Sequence, residues 1–397
     1  MNTFVRLRTA YDLPPPTVRE DLTRVGRGTP MGELLRRYWH PVGTSANACS
    51  VPARVRVLGE DLVLFRDAQG RPGLVHERCA HRGASLYYGR TEAGGIRCCY
   101  HGWLFDVTGR CRDQPCEPNG GAAREHTRQP WYPVEERYGL VFAYLGPDDR
   151  RPVLPTYDLL ETFAPGETLE TDAHSIGSGG PVIVPCNWLQ HFENVMDPYH
   201  VPILHGSFSG AQFVAQMGLM PEVAFETWEL GIRSTSLRRL ESGQVHRRIT
   251  ETVAPTVRMV ASPRVEEYGP CSIVGWVLPI DDTTYRIYSA GRVKSPGALA
   301  RIRSTFDGRP WAELSEAEHR RFPGDYEAQT SQGPITLHSE EHLVSSDRGI
   351  AMLRRFLAKQ IEVVRSGGDP AGVTQDPAQR MLKSAAGNFL DDSPTHP

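Results

Sequence analysis

The sequence of 397 residues lacks several features that define whole classes of protein. No window approaches the roughly eighteen apolar residues that a membrane-spanning helix needs, and the first residues contain no apolar segment of signal-peptide length. Neither sign of charge is in excess, because Lys plus Arg total 44 and Asp plus Glu total 47. There is thus no general electrostatic case for a nucleic-acid partner. No internal repeat is present. We therefore expect a soluble, cytoplasmic protein.

Eight cysteines would suit disulfide bonds in a secreted protein. The absence of a leader, and the grouping of two of these cysteines with histidines, argue against that interpretation. We expect five of the others to be free thiols, either packed or without a role. They are Cys49, Cys111, Cys116, Cys186 and Cys271.

Two short hooks between Cys79 and Trp103 carry the most specific pattern in the chain. The first is Cys79-x-His81, and the second, sixteen residues later, is Cys98-x-x-His101. Two Cys and two His suit either zinc or a Rieske two-iron, two-sulfur cluster, in which two His replace two Cys on one iron. Zinc hooks usually pair Cys with Cys and His with His, whereas each hook here mixes the two. We therefore predict a cluster held by Cys79, His81, Cys98 and His101.

The hooks resemble the Rieske domain of the ring-hydroxylating oxygenases, whose signature is C-x-H-R-G followed by C-x-x-H-G-W. Gly83 and Gly102 would let backbone N–H groups approach the cluster sulfurs. Cys99 stands where that family often has Pro, and we interpret it as a bystander. Ala84 and Tyr100 occupy the positions of the extra disulfide in respiratory-chain Rieske proteins, so that clamp is absent. The resemblance implies a potential at the low end of the Rieske range, about −150 mV.

Turn residues and period-two alternation divide the chain into strand-rich units. We predict an N-terminal arm and helix over 1–40, an all-β Rieske domain over 41–150, a catalytic domain over 151–366 and a C-terminal tail over 367–397. Alternating strands in the third of these predict an antiparallel sheet with one face covered by helices. Apolar residues from Ile350 to Val364 recur at helical intervals and predict one such helix. The last seven residues have the composition of a disordered tail.

A second metal site is predicted between Asn187 and His205. A non-haem Fe(II) oxygenase needs two His and one carboxylate on one face of the metal. His200 and His205 lie five residues apart, which a regular helix would splay by more than a right angle. Pro202 between them should break the helix and let both rings turn to one iron.

This segment is similar to the oxygenase pattern N-W-x-x-x-x-E-N-x-x-D-x-x-H-x-x-x-x-H. The resemblance implies that Asp197 is not a ligand but hydrogen-bonds His200 and reaches the Rieske His101 of a neighbouring subunit. It would then orient the ligand and connect the two centres for electron transfer. The alternative is that Asp197 only caps a helix end.

The third metal ligand must come from elsewhere in the chain. Residues 324–335, G-D-Y-E-A-Q-T-S-Q-G-P-I, look like the segment of the phthalate dioxygenase group in which D-x-x-x-Q-x-S-x-G-P-I carries the ligand aspartate. The resemblance implies Asp325, with Glu327 as the alternative. Thr330 and Gln332 replace residues that are often Glu and Met there.

These matches cover nearly the whole chain, which resembles an oxygenase α subunit of the phthalate dioxygenase type. The resemblance implies an α+β fold, with a β Rieske domain beside a helix-grip (START-like) catalytic domain. It implies a homotrimer, a Rieske cluster, a mononuclear Fe(II), and a separate reductase with flavin and a ferredoxin-type cluster that draws electrons from NAD(P)H.

Substrate and product remain open at this point. Aromatic acids are the usual substrates of the group, and Arg286 or Arg292 would pair the carboxylate. The reaction would be either cis-dihydroxylation of a ring or O-demethylation of a methoxy group. A Rieske electron-transfer protein is the alternative, although it would need only the chain up to about residue 150. A zinc-stabilised binding protein would be colourless.

Overall fold

The described residues up to about position 150 contain three small antiparallel sheets. The computed structural model describes residues 13–122, 124–173, 180–209, 213–262, 268–299 and 307–392. In the first part the strands are β1 (Trp39–Thr44), β2 (Ala53–Val57), β3 (Glu60–Arg66), β4 (Pro72–His76), β5 (Arg90–Glu92), β6 (Gly95–Arg97), β7 (Leu104–Phe105), β8 (Cys111–Asp113), β9 (Trp131–Tyr132), β10 (Val134–Arg137) and β11 (Leu140–Tyr144). The sheet orders are β1-β11-β10, β2-β3-β4-β9 and β5-β6-β7-β8. The last of these carries the second hook, between β6 and β7.

One large sheet dominates the rest of the chain. Its strands, with a short parallel pair beside it, are β12 (Thr156–Tyr157), β13 (Thr168–Asp172), β14 (Glu222–Trp228), β15 (Gly231–Arg239), β16 (Val245–Val253), β17 (Val257–Val260), β18 (Gly269–Pro270), β19 (Ile273–Asp281), β20 (Thr284–Val293), β21 (Met381–Leu382) and β22 (Gly387–Asp391). The order is β13-β20-β19-β17-β16-β15-β14, with β22 against β16 and β18. Every neighbouring pair in this sheet is antiparallel.

The helices include α1 (Glu20–Thr23), α2 (Pro30–Leu35), α3 (Asp158–Glu161), α4 (Trp188–Val195), a π-helix (Val201–Phe208), α5 (Glu316–Arg321), α6 (Asp325–Thr330) and α7 (Arg348–Arg365). Of these, α3, α4 and α7 pack against strands of the large sheet. The predicted C-terminal helix is α7, which buries Leu353, Phe356, Leu357 and Ile361 at three- and four-residue spacing. Within the described ranges, no helix has both the length and the apolar character that crossing a bilayer requires.

Two hydrophobic cores organise the molecule. The smaller one packs Val63, Phe65, Ile96 and Phe105 around the two hook cysteines. The larger one is continuous from α2 through β1 and β11 to the large sheet and α7. Strands β1 and β11 therefore share a core with the catalytic part, although they lie in the range predicted for the Rieske domain.

The segment after Gly367 differs from the loose tail that its composition predicts. Residues Gly387–Asp391 form β22, which pairs with β16 from Ile249 to Val245. Strand β17 pairs with β16 only from Thr250 to Val253, so β22 satisfies backbone groups of β16 that would otherwise lack partners. The large sheet therefore extends to residue 391, and residues 393–397 of the predicted tail lie outside the described ranges.

His40 makes the fold sensitive to acid. It is buried, and its Nε2 lies 2.8 Å from the carbonyl oxygen of Leu35. Burial, aided by the charge of Arg36, lowers the pKa of His40 to about 4. Because this value is below the unfolded pKa of about 6.5, the neutral ring stabilises the fold above pH 6.5, and that stability is lost as the pH falls towards 4. We expect a loss of about 2 kcal/mol between pH 7 and pH 5.

The matched variant for this prediction is His40→Gln, whose amide can still donate to Leu35. Its melting temperature should fall less steeply between pH 7 and pH 5 than that of the wild type. Equal slopes for the two proteins would show that His40 is not the group responsible.

Candidate functional site

The two predicted hooks are built alike. In the first, the N–H of Gly83 bonds to the carbonyl oxygen of Cys79 at 2.8 Å. In the second, the N–H of Gly102 bonds to the carbonyl oxygen of Cys98 at 3.1 Å. Both glycines have a positive φ, 75° and 71°, a conformation that costs little only without a Cβ. Each glycine therefore closes the loop that presents the cysteine and histidine.

The sequence interpretation was that the two glycines let backbone N–H groups approach the cluster sulfurs. The N–H groups of the glycines themselves close the hooks. At the first hook the backbone N–H groups of His81 and Arg82 interact with the Cys79 sulfur. Burial outweighs them and raises the pKa of the Cys79 thiol to about 12. A thiol in this setting becomes a thiolate only when a metal takes the place of the proton.

The two hook histidines meet at the exposed end of this unit. The ring centroids of His81 and His101 are 4.5 Å apart, and His81 stacks on Trp103 at 4.3 Å. The Nδ1 atoms of both rings are buried and have no hydrogen-bond partner among the residues that the structure describes. Buried polar atoms rarely lack partners, so two orphaned nitrogens beside two buried thiols fit the donor set of a Rieske cluster.

Side chains outside the motif hold the hooks in place. Gln129, fully buried, accepts the N–H of Ala80 at 2.7 Å through Oε1. Arg97 supports the second hook by donating to the carbonyl oxygen of Gly102 at 2.5 Å. The Gln129 amide nitrogen also donates to the carbonyl oxygens of His76 and Arg78, each at 2.8 Å. No sequence signal pointed to Gln129, since its partners lie about fifty residues earlier.

The predicted metal ligands His200, His205 and Asp325 come together at one point. Their ligand atoms all lie within 4.8 Å of one another. Asp325 Oδ1 is 3.2 Å from His205 Nε2 and 3.6 Å from His200 Nε2. Donors on adjacent octahedral positions at about 2.1 Å from a metal would be about 3 Å apart. Two imidazoles and one carboxylate at this separation fit a facial triad, which suits non-haem Fe(II).

Helix geometry explains how two histidines five residues apart converge. Pro202 is not the helix break that the sequence predicts, because α4 already ends at Val195 and the π-helix begins at Val201. Pro202 lies in the first turn of that π-helix. Backbone N–H groups there have no partner within the helix, so the missing N–H of proline costs no hydrogen bond. In a π-helix the hydrogen bonds run from i to i+5, so His200 and His205 fall on nearly the same face. Their ring centroids are 5.3 Å apart.

Asp197 caps the turn that begins at His200 and lies next to the His200 ring. Its Oδ1 accepts the N–H of Tyr199 at 2.9 Å and that of His200 at 3.3 Å, as a capping residue does. His200 Nδ1 lies 2.5 Å from the backbone carbonyl oxygen of Asp197, and the carboxylate oxygen Oδ2 is further away, at 3.6 Å. Burial opposes ionisation, but His200 and the backbone donors lower the pKa of Asp197 overall. Among the described residues, no hydrogen bond or ion pair joins Asp197 to His101 of the same chain.

Asp325 begins α6 and faces the two histidines, while Glu327 does not. Burial disfavours the Asp325 carboxylate, but the adjacent His205 and His200 hold its pKa well below the usual range. Glu327 instead accepts hydrogen bonds from Trp311 Nε1 at 2.7 Å and from the N–H of Gly324 at 2.8 Å. The geometry therefore favours Asp325 over the alternative.

A cavity of about 120 Å³ opens beside this group of ligands. Its floor is one face of the large sheet, because alternate residues of a strand point the same way. The floor is polar and basic. It is formed by Ser234, Ser236 and Arg238 of β15, Arg248 and Thr250 of β16, and Arg258 of β17.

The three floor arginines are buried, and burial lowers the pKa of each. Arg248 is held by the carbonyl oxygen of Ala261 at 2.6 Å and by Asn388 Oδ1 at 3.2 Å. Arg258 lies near enough to Asp325 for that charge to act on its pKa. Arg238 donates from Nε to the carbonyl oxygen of Leu219 at 3.0 Å, but its buried Nη1 has no partner among the described residues.

These arginines were missed or misread in the sequence. By its composition alone, the run Leu237-Arg238-Arg239 predicts the solvated edge of a strand, and for Arg238 that prediction is wrong, because it is 1% exposed. Arg286 and Arg292, the sequence candidates, bond to backbone carbonyl oxygens of residues 173 and 162 and do not line the cavity. The sequence did offer one signal for the floor arginines. They stand at positions where strand alternation predicts a side chain that faces the core.

Comparison with known proteins agrees with this arrangement. A family profile described as Rieske [2Fe-2S] domain matches residues 38–135. The chain is 50% identical over 390 residues to the phenoxybenzoate dioxygenase subunit alpha of Ectopseudomonas oleovorans, covering 97% of this chain and 95% of that protein. It is 33% identical to the 5,5'-dehydrodivanillate O-demethylase oxygenase subunit of a Sphingobium species, covering 90% and 83% of the two chains.

A solved structure has the same fold. The NdmA QL mutant of Pseudomonas putida CBB5, solved with caffeine, superposes with a TM-score of 0.61 at 20% identity, covering 85% of this chain and 93% of that one. The two-part fold is thus that of a Rieske-type oxygenase, and the α+β prediction is confirmed. This chain belongs to the Rieske non-haem iron aromatic ring-hydroxylating oxygenases, as an oxygenase (α) subunit. It is a terminal oxygenase, and no finding favours an electron-transfer protein.

Proposed function

We propose that Cys79, His81, Cys98 and His101 hold the [2Fe-2S] cluster, and that His200, His205 and Asp325 hold a mononuclear Fe(II). The orphaned Nδ1 atoms support the first assignment, and the donor separations of 3.2 and 3.6 Å support the second. When bound, the iron activates dioxygen and the cluster supplies an electron to it. The protein side chains orient these groups and enclose the substrate next to them.

The substrate in this proposal is an aromatic carboxylate. The observation that carries it is the basic floor of the cavity, where Arg238 keeps a buried donor without a partner. An uncompensated buried charge costs several kcal/mol, and a carboxylate of the ligand would remove that cost through charge-assisted hydrogen bonds. The floor faces the metal ligands across a single cavity, so a ring held by its carboxylate would lie next to the iron.

The cavity volume limits the size of the group that reacts. An engineered cavity of about 150 Å³ holds one benzene molecule, and the volume here is about 120 Å³. The cavity therefore has room for no more than one ring beside the metal ligands. A phenoxybenzoate, the compound in the name of the relative at 50% identity, would keep its second ring towards the mouth of the cavity.

Electrons are proposed to come from NAD(P)H through a separate reductase that carries flavin and an iron-sulfur cluster. The relatives are named as subunits, which supports a multicomponent system. A homotrimer would let Asp197 of one chain meet His101 of the next, since no described bond joins these two residues within one chain. In this proposal the assembly works in the cytoplasm, in the breakdown of aromatic compounds.

Two reactions fit this site, and both balance with two electrons and two protons. In cis-dihydroxylation both atoms of dioxygen enter the ring, and the product gains two oxygens and two hydrogens. In O-demethylation one atom enters the methyl group, which leaves as formaldehyde, and the other forms water. The name of the relative at 50% identity favours dioxygenation, and that of the relative at 33% identity keeps demethylation as the second candidate.

The test is the mass of the product after turnover with a surrogate phthalate-type reductase and NADH. The substrate panel contains benzoates, phthalates, methoxybenzoates and phenoxybenzoates, each paired with its neutral amide. We expect the carboxylates to be oxidised and the amides to react poorly. A gain of two oxygens and two hydrogens identifies dihydroxylation, and loss of a methyl group with formaldehyde identifies demethylation. Preference for the amides would contradict the anionic substrate.

A further inference from the structure

The helix that carries Asp325 is too short to orient itself. Helix α6 has six residues, whereas isolated helices shorter than about 12 residues are marginal in water. Side chains on a helix reach about 5–6 Å from its axis. A rotation of about 10° around that axis would therefore move a carboxylate oxygen by about 1 Å. Metal-ligand distances tolerate only about 0.2 Å, so something outside α6 must fix its rotation.

Helices α4 and α6 face each other through two matched pairs of side chains. On α4, His191 and Asn194 are one turn apart, and on α6, Asp325 and Gln329 are one turn apart. Asn194 Nδ2 donates to Asp325 Oδ1 at 3.3 Å. One turn further along, His191 Nδ1 is 3.3 Å from Gln329 Oε1.

Gln329 also connects α6 to the sheet. Its Oε1 accepts the hydroxyl of Tyr285 on β20 at 2.8 Å, and its side chain is almost fully buried. Its backbone carbonyl oxygen accepts Gln190 Nε2 at 2.8 Å. Contacts from α4 and from β20 thus converge on one side chain, from two directions. This arrangement resists rotation of α6 more than the single Asn194 contact can.

We propose that Gln329 is a positioning residue that sets the direction of the Asp325 carboxylate and so determines how tightly the mononuclear metal is held. Gln329 belongs to the motif that led to Asp325, but nothing else assigns it a role. The inference rests on the proposed assignment of Asp325 as a metal ligand. It predicts a defect in metal affinity that is separate from folding and from the Rieske cluster.

The test measures Fe(II) affinity in the full chain after the mononuclear metal has been removed and the cluster retained. Fe(II) is added anaerobically in competition with a chromogenic chelator. Gln329→Met keeps the side-chain volume but removes the acceptor, and we expect its Kd to rise about 10–100-fold, with the visible spectrum of the cluster unchanged. Gln329→Glu retains an acceptor oxygen and should recover part of the affinity.

The control is Gln332→Met, the same change at an exposed glutamine three residues further on, whose amide oxygen accepts from the hydroxyl of Thr336. Its Kd should equal that of the wild type. A Kd for Gln329→Met within twofold of the wild type would overturn the inference. If Gln329→Met does not fold, Tyr285→Phe provides the test instead. It removes one of the two contacts to Gln329 Oε1 and should weaken Fe(II) binding by more than twofold. Wild-type protein that binds no Fe(II) beyond its cluster would contradict the proposed metal site itself.

Discussion

Replacing Asp197 by asparagine is expected to lower turnover at least about 100-fold while both metal centres stay filled. Asparagine caps helices as well as aspartate does, so the bonds to the N–H groups of Tyr199 and His200 should persist. What is lost is the negative charge beside His200 Nδ1 and the acceptor proposed for His101 of the neighbouring chain. The defect should therefore lie in electron transfer rather than in folding.

Three measurements separate these effects for Asp197→Asn. Iron content and the spectrum of the cluster should match the wild type, while substrate-dependent NADH oxidation and oxidation of the pre-reduced cluster should slow together. Asp376→Asn is the control, because Asp376 also caps a turn, by accepting the N–H of Ala378 at 2.9 Å. That variant should turn over normally. Normal turnover by Asp197→Asn would exclude the bridging role and leave Asp197 as a capping residue.

Replacing Arg238 by methionine is expected to raise the KM for an aromatic carboxylate about 100-fold or more. Loss of one partner from a buried, hydrogen-bonded charge pair costs about 2–5 kcal/mol, and each 1.4 kcal/mol is a factor of ten. Methionine keeps most of the side-chain volume, so the cavity should retain its shape. The effect should appear for the carboxylate and not for the matching neutral amide.

The control for Arg238→Met is the same change at Arg239. This neighbour lies on the same strand but points away from the cavity, with 67% of its side chain exposed beside Glu222. Arg239→Met should leave the KM unchanged. Binding of the carboxylate and of its amide to each variant, measured by calorimetry, gives the comparison. Equal weakening of both ligands by Arg238→Met would mean that the cavity has changed shape and that Arg238 does not select charge.

The sequence alone was informative where the chemistry is local. The hooks could be read directly, because each cysteine and histidine lies within three residues of its partner and one turn presents both. Most strands of the large sheet could also be predicted, since their alternation has a period of two and turn residues bound them. His200 and His205 were found from their spacing, although the cause proposed for their convergence, a break at Pro202, was wrong.

Only tertiary structure decided the rest, because these features depend on residues far apart in the chain. Asp325 lies 120 residues after His205, so spacing could not join them, and family resemblance alone suggested the pair. Strand β22 forms because half of the β16 edge is left unpaired, which local composition cannot reveal. The basic floor of the cavity arises where three strands turn the same face towards the metal ligands. Alternation could assign Arg238 to one face of its strand, but only the assembled sheet shows that this face is the buried floor of the cavity.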